Sequence, residues 1–121
     1  MGEATSEKKR ILYVEDDRDV GRLTKLMLER RRPYDVQLEN DATRALTTAQ
    51  TFHPDVILLD VIMPEMDGGD VAHLLRQDAG LKRVPIIFIS AGAKPIPGFP
   101  YLSKPIAIEE VIACIEKHLV A

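Results

Sequence analysis

Cysteine is almost missing from this chain. Cys114 stands alone, so no internal disulfide can form and a reducing setting is expected. Long apolar runs are missing too: none approaches the length that spans a bilayer, and no secretory signal is legible, which points to the cytoplasm and away from any membrane partner. Basic charge is not in excess. The net charge of −3 gives no support to direct nucleic-acid binding, which favours a basic face. With no repeat and no low-complexity tract, the 121 residues read as one domain, large enough to bury a core without metal staples. The polar opening MGEATSEKKR is expected to fray, giving a flexible leader over residues 1–9 and a folded domain over 10–121.

What the chain does contain is an alternation of two periods. Short apolar or alternating runs at 11–14, 34–39, 56–59, 86–90 and 101–103 read as strands. Between them, DRDVGRLTKLMLERR sets Val20, Leu23, Leu26 and Met27 at helical spacing. NDATRALTTAQTF follows Asn40 or Asp41 as a helix cap, and GDVAHLLRQ over 69–77 and the stretch from Ile108 to Leu119 are also helical. Alternating strands and helices predict a doubly wound α/β fold with a parallel sheet covered on both faces. The runs at 11–14, 56–59 and 86–89 are apolar throughout, as central strands must be. The run at 34–39 alternates and YLS is brief, so both suit edges. The strand order 2-1-3-4-5 satisfies these patterns, and its switch point lies between strands 1 and 3.

Ligands of such sheets bind beyond the carboxyl ends of the strands. Strand 1 ends there in Glu15-Asp16-Asp17 and strand 3 in Asp60. Strand 4 ends in Ser90, and strand 5 runs into Ser103-Lys104-Pro105. Crowded carboxylates call for a cation, and hard oxygen donors with room for water suit Mg²⁺. A carboxylate nucleophile, a divalent metal, a hydroxyl and a lysine are the parts of a phosphoryl-transfer site. Each residue alone has an ordinary explanation. Asp17 serves as a helix N-cap, Glu15 and Asp16 favour a helix N-terminus, Asp60 ends a strand, and Lys104 is a solvated lysine. Tyr101 is an edge aromatic, Met63 and Met66 fill gaps, and His53, His73 and His118 show no shared metal spacing. Matched chemistry at four strand tips is what lifts the group above these separate explanations.

ILYVEDD, DVILLDVIMPEMDG, IIFISA and YLSKP, spread over nearly the whole chain from about Lys9, resemble the receiver domain of two-component response regulators, the CheY-like fold. The resemblance implies that Asp60 is the phosphorylation site. It implies Mg²⁺ held by Asp16, Asp60 and the Ile62 backbone carbonyl, with Glu15 acting through water or by orienting Asp16. Ser90, Lys104 and the Ala91 amide would bind the phosphoryl group, with Ser90 and Tyr101 as switch residues and a cis Lys104–Pro105 bond. A sensor histidine kinase or phosphotransfer protein would be the donor and an unidentified protein the downstream target. The domain would be a monomer or weak dimer that catalyses only its own phosphorylation and dephosphorylation. The alternative is a receiver-like docking module that works without phosphorylation.

Two rivals fail on missing residues. A haloacid-dehalogenase-type phosphatase needs a second aspartate two positions after the nucleophile, where this chain has Ile62. A dinucleotide binder needs a glycine-rich turn after the first strand, and VEDDRD has none. One segment departs from the family. AGAKPIPGFP, over 91–100, joins strands 4 and 5 with prolines and glycines that oppose a helix. Ten extended residues reach about 33 Å, so the crossover closes, but the family's fourth helix is expected to be absent or a single turn. Ile96 and Phe99 are the residues expected to change exposure when the site is phosphorylated.

Overall fold

The structure is a computed structural model that describes residues 8–92 and 96–119. Residues 1–7 of the expected leader lie outside the described residues, and Lys8 and Lys9 are exposed. The strands are β1 (Lys9–Val14), β2 (Tyr34–Glu39), β3 (Val56–Asp60), β4 (Ile86–Ser90) and β5 (Tyr101–Ser103). The helices are α1 (Arg18–Arg31), α2 (Ala45–Phe52, after a 3₁₀ turn at Ala42–Arg44), α3 (Gly68–Gln77) and α4 (Ile108–His118). All strand pairs are parallel, in the order β2-β1-β3-β4-β5. No helix among the described residues is long and apolar enough to cross a membrane.

The alternation of side chains along each central strand sorts the core into two layers. Leu12, Val14, Ile57, Leu59, Ile86 and Phe88 face α2 and α3, packing with Ala45, Ala49, Val71 and Leu75. Ile11, Tyr13, Val56, Leu58, Ile87 and Ile89 face α1 and α4, packing with Leu28, Val111, Ile112 and Ile115. β2 buries Tyr34 and Val36 and exposes Asp35 and Gln37, as an edge strand should. On its free edge, side chains of α1 meet the Val36 backbone: the amide donates to Glu29 and the carbonyl accepts from Lys25.

α1 sits differently from its apolar spacing. Leu23 and Leu26 are 58% and 45% exposed, and the buried positions are Gly21, Thr24 and Leu28. Small residues let the helix lie close to the sheet; a methyl added at Gly21 would stand 3.2 Å from Leu38 Cδ2. Close approach at Gly21 and Thr24 therefore wins over burial of two leucines. Two caps follow the sequence, and a third is visible only in the fold. Asp17 accepts from the Asp19 and Val20 amides, Asp41 accepts from Thr43, and Asp67 and Asp70 form a capping box at α3.

The crossover from β4 to β5 contains no helix among its described residues; residues 93–95 lie outside them. It is nonetheless anchored. Phe99 meets Phe88 edge-to-face at 5.0 Å, the Arg76 guanidinium lies 5.3 Å from the Phe99 ring centroid, and Ile96 packs on the same core layer. Arg76 is itself fixed by donating to the Val84 carbonyl. Phe99→Ala should therefore destabilise the domain by about 2 kcal/mol, less than a fully buried Phe→Ala change. It should also speed amide exchange at 96–102. An unchanged exchange pattern would mean that Phe99 does not hold the crossover.

Candidate functional site

Parallel register brings the acidic tips together. Val14 pairs with Leu59, so the residues that follow them, Glu15 and Asp60, emerge side by side. Asp60 pairs with Ile89, and Ser90 pairs with Ser103, one residue before Lys104. The Lys104–Pro105 peptide is cis, and the Lys104 amide donates to the Ser90 carbonyl at 3.1 Å. The result is a groove of about 300 Å³ lined by Glu15, Asp16, Asp60, Ser90 and Lys104, with Ile62 and Ala91 at its rim.

Glu15 is 1% exposed and Asp60 4% exposed. The Lys104 ammonium bridges them, donating to Glu15 Oε1 at 2.5 Å and to Asp60 Oδ2 at 3.1 Å. The cation that crowded carboxylates demand is thus partly supplied by the chain itself. Glu15 also accepts from the Tyr13 hydroxyl on Oε1 and from the Asp17 amide on Oε2, each at 3.1 Å. The Ile62 amide donates to Asp60 Oδ1 at 3.3 Å. These partners separate the two carboxyls. Burial pushes Glu15 up, but the hydrogen bonds from Lys104 and Asp17 outweigh it and hold Glu15 below the usual range. Asp60 is pushed up to about 6 by burial and by the Glu15 charge, against the pull of Lys104. Burial opposes the Lys104 charge, yet its two carboxylate partners raise its pKa further and keep it an ammonium.

Asp16 is exposed, and burial of its inner face and the Glu15 charge raise its pKa. One carboxylate oxygen each from Glu15, Asp16 and Asp60 lies within 4.8 Å of the others. Such an all-oxygen set, open to water on the Asp16 side, fits a hard divalent cation. Ser90 is 1% exposed, and its Oγ is buried without a hydrogen-bond partner, while its carbonyl accepts from Lys104 and from the Tyr101 hydroxyl at 3.1 Å. An unpartnered buried hydroxyl is costly, and the residue that carries this one lines the groove together with Asp60. Tyr101 is half-buried against the α3 layer. Met63 is buried in that layer, and Met66 packs on it.

Three features of the site are not legible from single residues. Tyr13 reads as one more apolar strand residue, although it shares a strand face with Glu15 two positions on. The Glu15–Lys104 pair joins residues far apart in sequence. Gly68 approaches the loop after β3 so closely that an added Cβ would stand 2.5 Å from the Asp60 carbonyl oxygen. Its amide donates to the Val61 carbonyl at 2.8 Å, which ties the start of α3 to the loop after Asp60. The histidines lie apart from the site's acidic cluster: His53 caps α2 at φ 56°, His73 contacts Gln77, and His118 contacts the Cys114 carbonyl.

A five-stranded parallel sheet in this order, with acids, a hydroxyl and a lysine gathered at its carboxyl rim, has the architecture of a two-component receiver. The chain belongs to the response regulator receiver domain family, whose model matches residues 11–116. Its function class is phosphorylation-based two-component signalling. Receiver domains are not enzymes in the ordinary sense, and they bind Mg²⁺ at an acidic pocket of the kind formed here. The chain is 32% identical over 120 residues to the DNA-binding response regulator MtrA of Mycobacterium tuberculosis, an alignment covering 93% of this chain and 51% of MtrA. It therefore spans about half the length of the curated relatives of this type. It is 26% identical to Protein PilG of Pseudomonas aeruginosa, over 97% of this chain and 92% of PilG. Among solved structures, the chemotaxis protein CheY4 of Vibrio cholerae superposes with a TM-score of 0.86 at 25% identity, covering 93% of this chain and all (100%) of that one.

Proposed function

We propose that Asp60 is the phosphoryl acceptor and that the domain catalyses its own phosphorylation and dephosphorylation. The observation that carries this reading is Lys104 bridging Glu15 and Asp60 at the strand tips. One Asp60 Oδ attacks phosphorus, forming the O–P bond, while the P–N bond of a phosphohistidine donor breaks and the leaving imidazole takes up a proton. Lys104 turns from the carboxylates to one phosphoryl oxygen; Ser90 Oγ and the Ala91 amide donate to others. Asp16, Asp60 and the Ile62 carbonyl would hold Mg²⁺ directly, with Glu15 behind them through water. The metal supplies charge neutralisation on the transferring oxygens. Tyr101 follows Ser90 through its bond to the Ser90 carbonyl, which turns a charge change into a packing change.

The donor is a histidine kinase or phosphotransfer protein. Its approach is supported by an apolar groove of about 280 Å³ beside the site, between α1 and the turn into α4, lined by Val20, Leu23, Met27 and Ile106 and reaching Lys104. Incubation with Mg²⁺ and a small phosphodonor should add the mass of one phosphoryl group. Asp60→Asn or EDTA should abolish the gain, and hydroxylamine should remove it from the wild type. A gain that persists in Asp60→Asn contradicts the assignment.

A further inference from the structure

We infer that Tyr13 is a positioning residue for the phosphoryl-transfer reaction: its buried hydroxyl holds Glu15 in place when Lys104 leaves Glu15 for the phosphoryl group. The inference rests on the reading of Asp60 as the acceptor. Its basis is one oxygen atom, because Glu15 Oε1 accepts both from Lys104 Nζ at 2.5 Å and from the Tyr13 hydroxyl at 3.1 Å. Tyr13 is wholly buried in the layer beneath α1, and its phenol also interacts with the buried Thr24 side chain on that helix. Burial, first, and the Glu15 charge keep the phenol protonated, so it can only serve Glu15 as a donor.

The exchange of partners explains why a donor is needed there. In the unphosphorylated site Lys104 divides its charge between Glu15 and Asp60. A phosphoryl group on Asp60 brings more negative charge and draws the ammonium away from Glu15. Glu15 is 1% exposed, and its other oxygen is held by the neutral Asp17 amide. A buried carboxylate that loses its directly bonded cation, with a metal reached only through water, is a costly arrangement. Tyr13 lowers that cost because it is neutral, fixed by packing, and already bonded to the oxygen Lys104 vacates. With phenylalanine at this position, Lys104 would be held more firmly by Glu15 and reach the phosphoryl group less readily.

The test is the rate of phosphorylation by a small phosphodonor at saturating Mg²⁺, read by intact mass. Tyr13→Phe should slow the wild-type chain by roughly tenfold, the loss of one hydrogen bond to a charged group. The same change made in Glu15→Gln should alter the rate by less than about twofold, because a neutral amide does not require the donor. Equal losses in the two backgrounds, or no loss in either, overturn the inference and leave Tyr13 as a packing residue. Should Tyr13→Phe fail to fold, the unmutated chain labelled with ¹³C-tyrosine decides: the Tyr13 Cζ resonance should move when Mg²⁺ and beryllofluoride are added, and an unmoved resonance overturns the inference. A wild type that gains no phosphoryl mass fails the Asp60 reading and takes this one with it. Failure of the double-variant comparison alone leaves the Asp60 reading standing.

Discussion

Lys104→Met should lower the stability of the magnesium-free protein by about 3 kcal/mol at pH 8, the scale for removing one partner of a buried ion pair, and by much less at pH 5. Asp60 is already raised to about 6 by burial and Glu15, with Lys104 opposing. An unfolded aspartate titrates near 3.9. Between those values the native state keeps a proton that the unfolded state has released, so the Asp60 contribution falls as pH rises from about 4 to 6. Without Lys104 the native pKa climbs further, and the loss continues to higher pH. The gap between variant and wild type should therefore widen mainly above about pH 6, with a smaller part, from Glu15 losing the Lys104 hydrogen bond that holds it low, already present below that. Millimolar Mg²⁺ should narrow it, because the acidic cluster then holds a cation in the native state only. Urea unfolding at pH 5, 6.5 and 8, with and without Mg²⁺, measures all of this. A gap that is the same at every pH would mean that Lys104 contributes packing and not charge compensation.

Gly68→Ala should be the most damaging single methyl addition near the site. The new Cβ would stand 2.5 Å from the Asp60 carbonyl oxygen and 2.9 Å from Val61 Cα, both backbone atoms that cannot swing aside. Relief requires moving the β3–α3 loop, at a cost of about 3 kcal/mol for overpacking of this kind. The same movement shifts Asp60 against Lys104 and the Ile62 amide, so phosphorylation should slow by at least about a hundredfold, as displacement of reacting groups by about 1 Å does. Gly69→Ala is the matched control. Its nearest neighbours are side-chain atoms, Asp67 Oδ1 at 3.2 Å and Ile96 Cδ1 at 3.9 Å, which can yield. Thermal unfolding and phosphorylation rates of the two variants should differ sharply. Similar behaviour of the two would mean that the loop accommodates a side chain at Gly68.

The sheet was legible because strand patterns report burial on each face. Runs at 11–14, 56–59 and 86–89 carry no polar position and occupy the centre of the sheet; YDVQLE alternates and lies at its edge. Once the order is known, the parallel register carries Glu15, Asp60, Ser90 and Lys104 to one rim. Helix rotation was less legible. In α1 two candidate faces compete, and the choice falls to Gly21 and Thr24 through close packing on Leu38 and the sheet, which hydrophobic spacing does not encode. The crossover shows the same limit: prolines and glycines announce the lack of a helix, but only the folded chain brings Arg76 and Phe88 to Phe99. The bridging of Glu15 to Asp60 by Lys104, with Tyr13 beneath, depends on side-chain reach in three dimensions.

We propose that the aspartate at the tip of β3 carries the phosphoryl group. Borohydride reduction of the phosphorylated protein converts an acyl phosphate into an alcohol, so peptide mass spectrometry after reduction names the residue directly. Homoserine is expected at position 60, formed only when Mg²⁺ and a phosphodonor were both present. Homoserine at position 16 or 55 with Asp60 intact, or a phosphoryl mass that yields no homoserine at all, would contradict it.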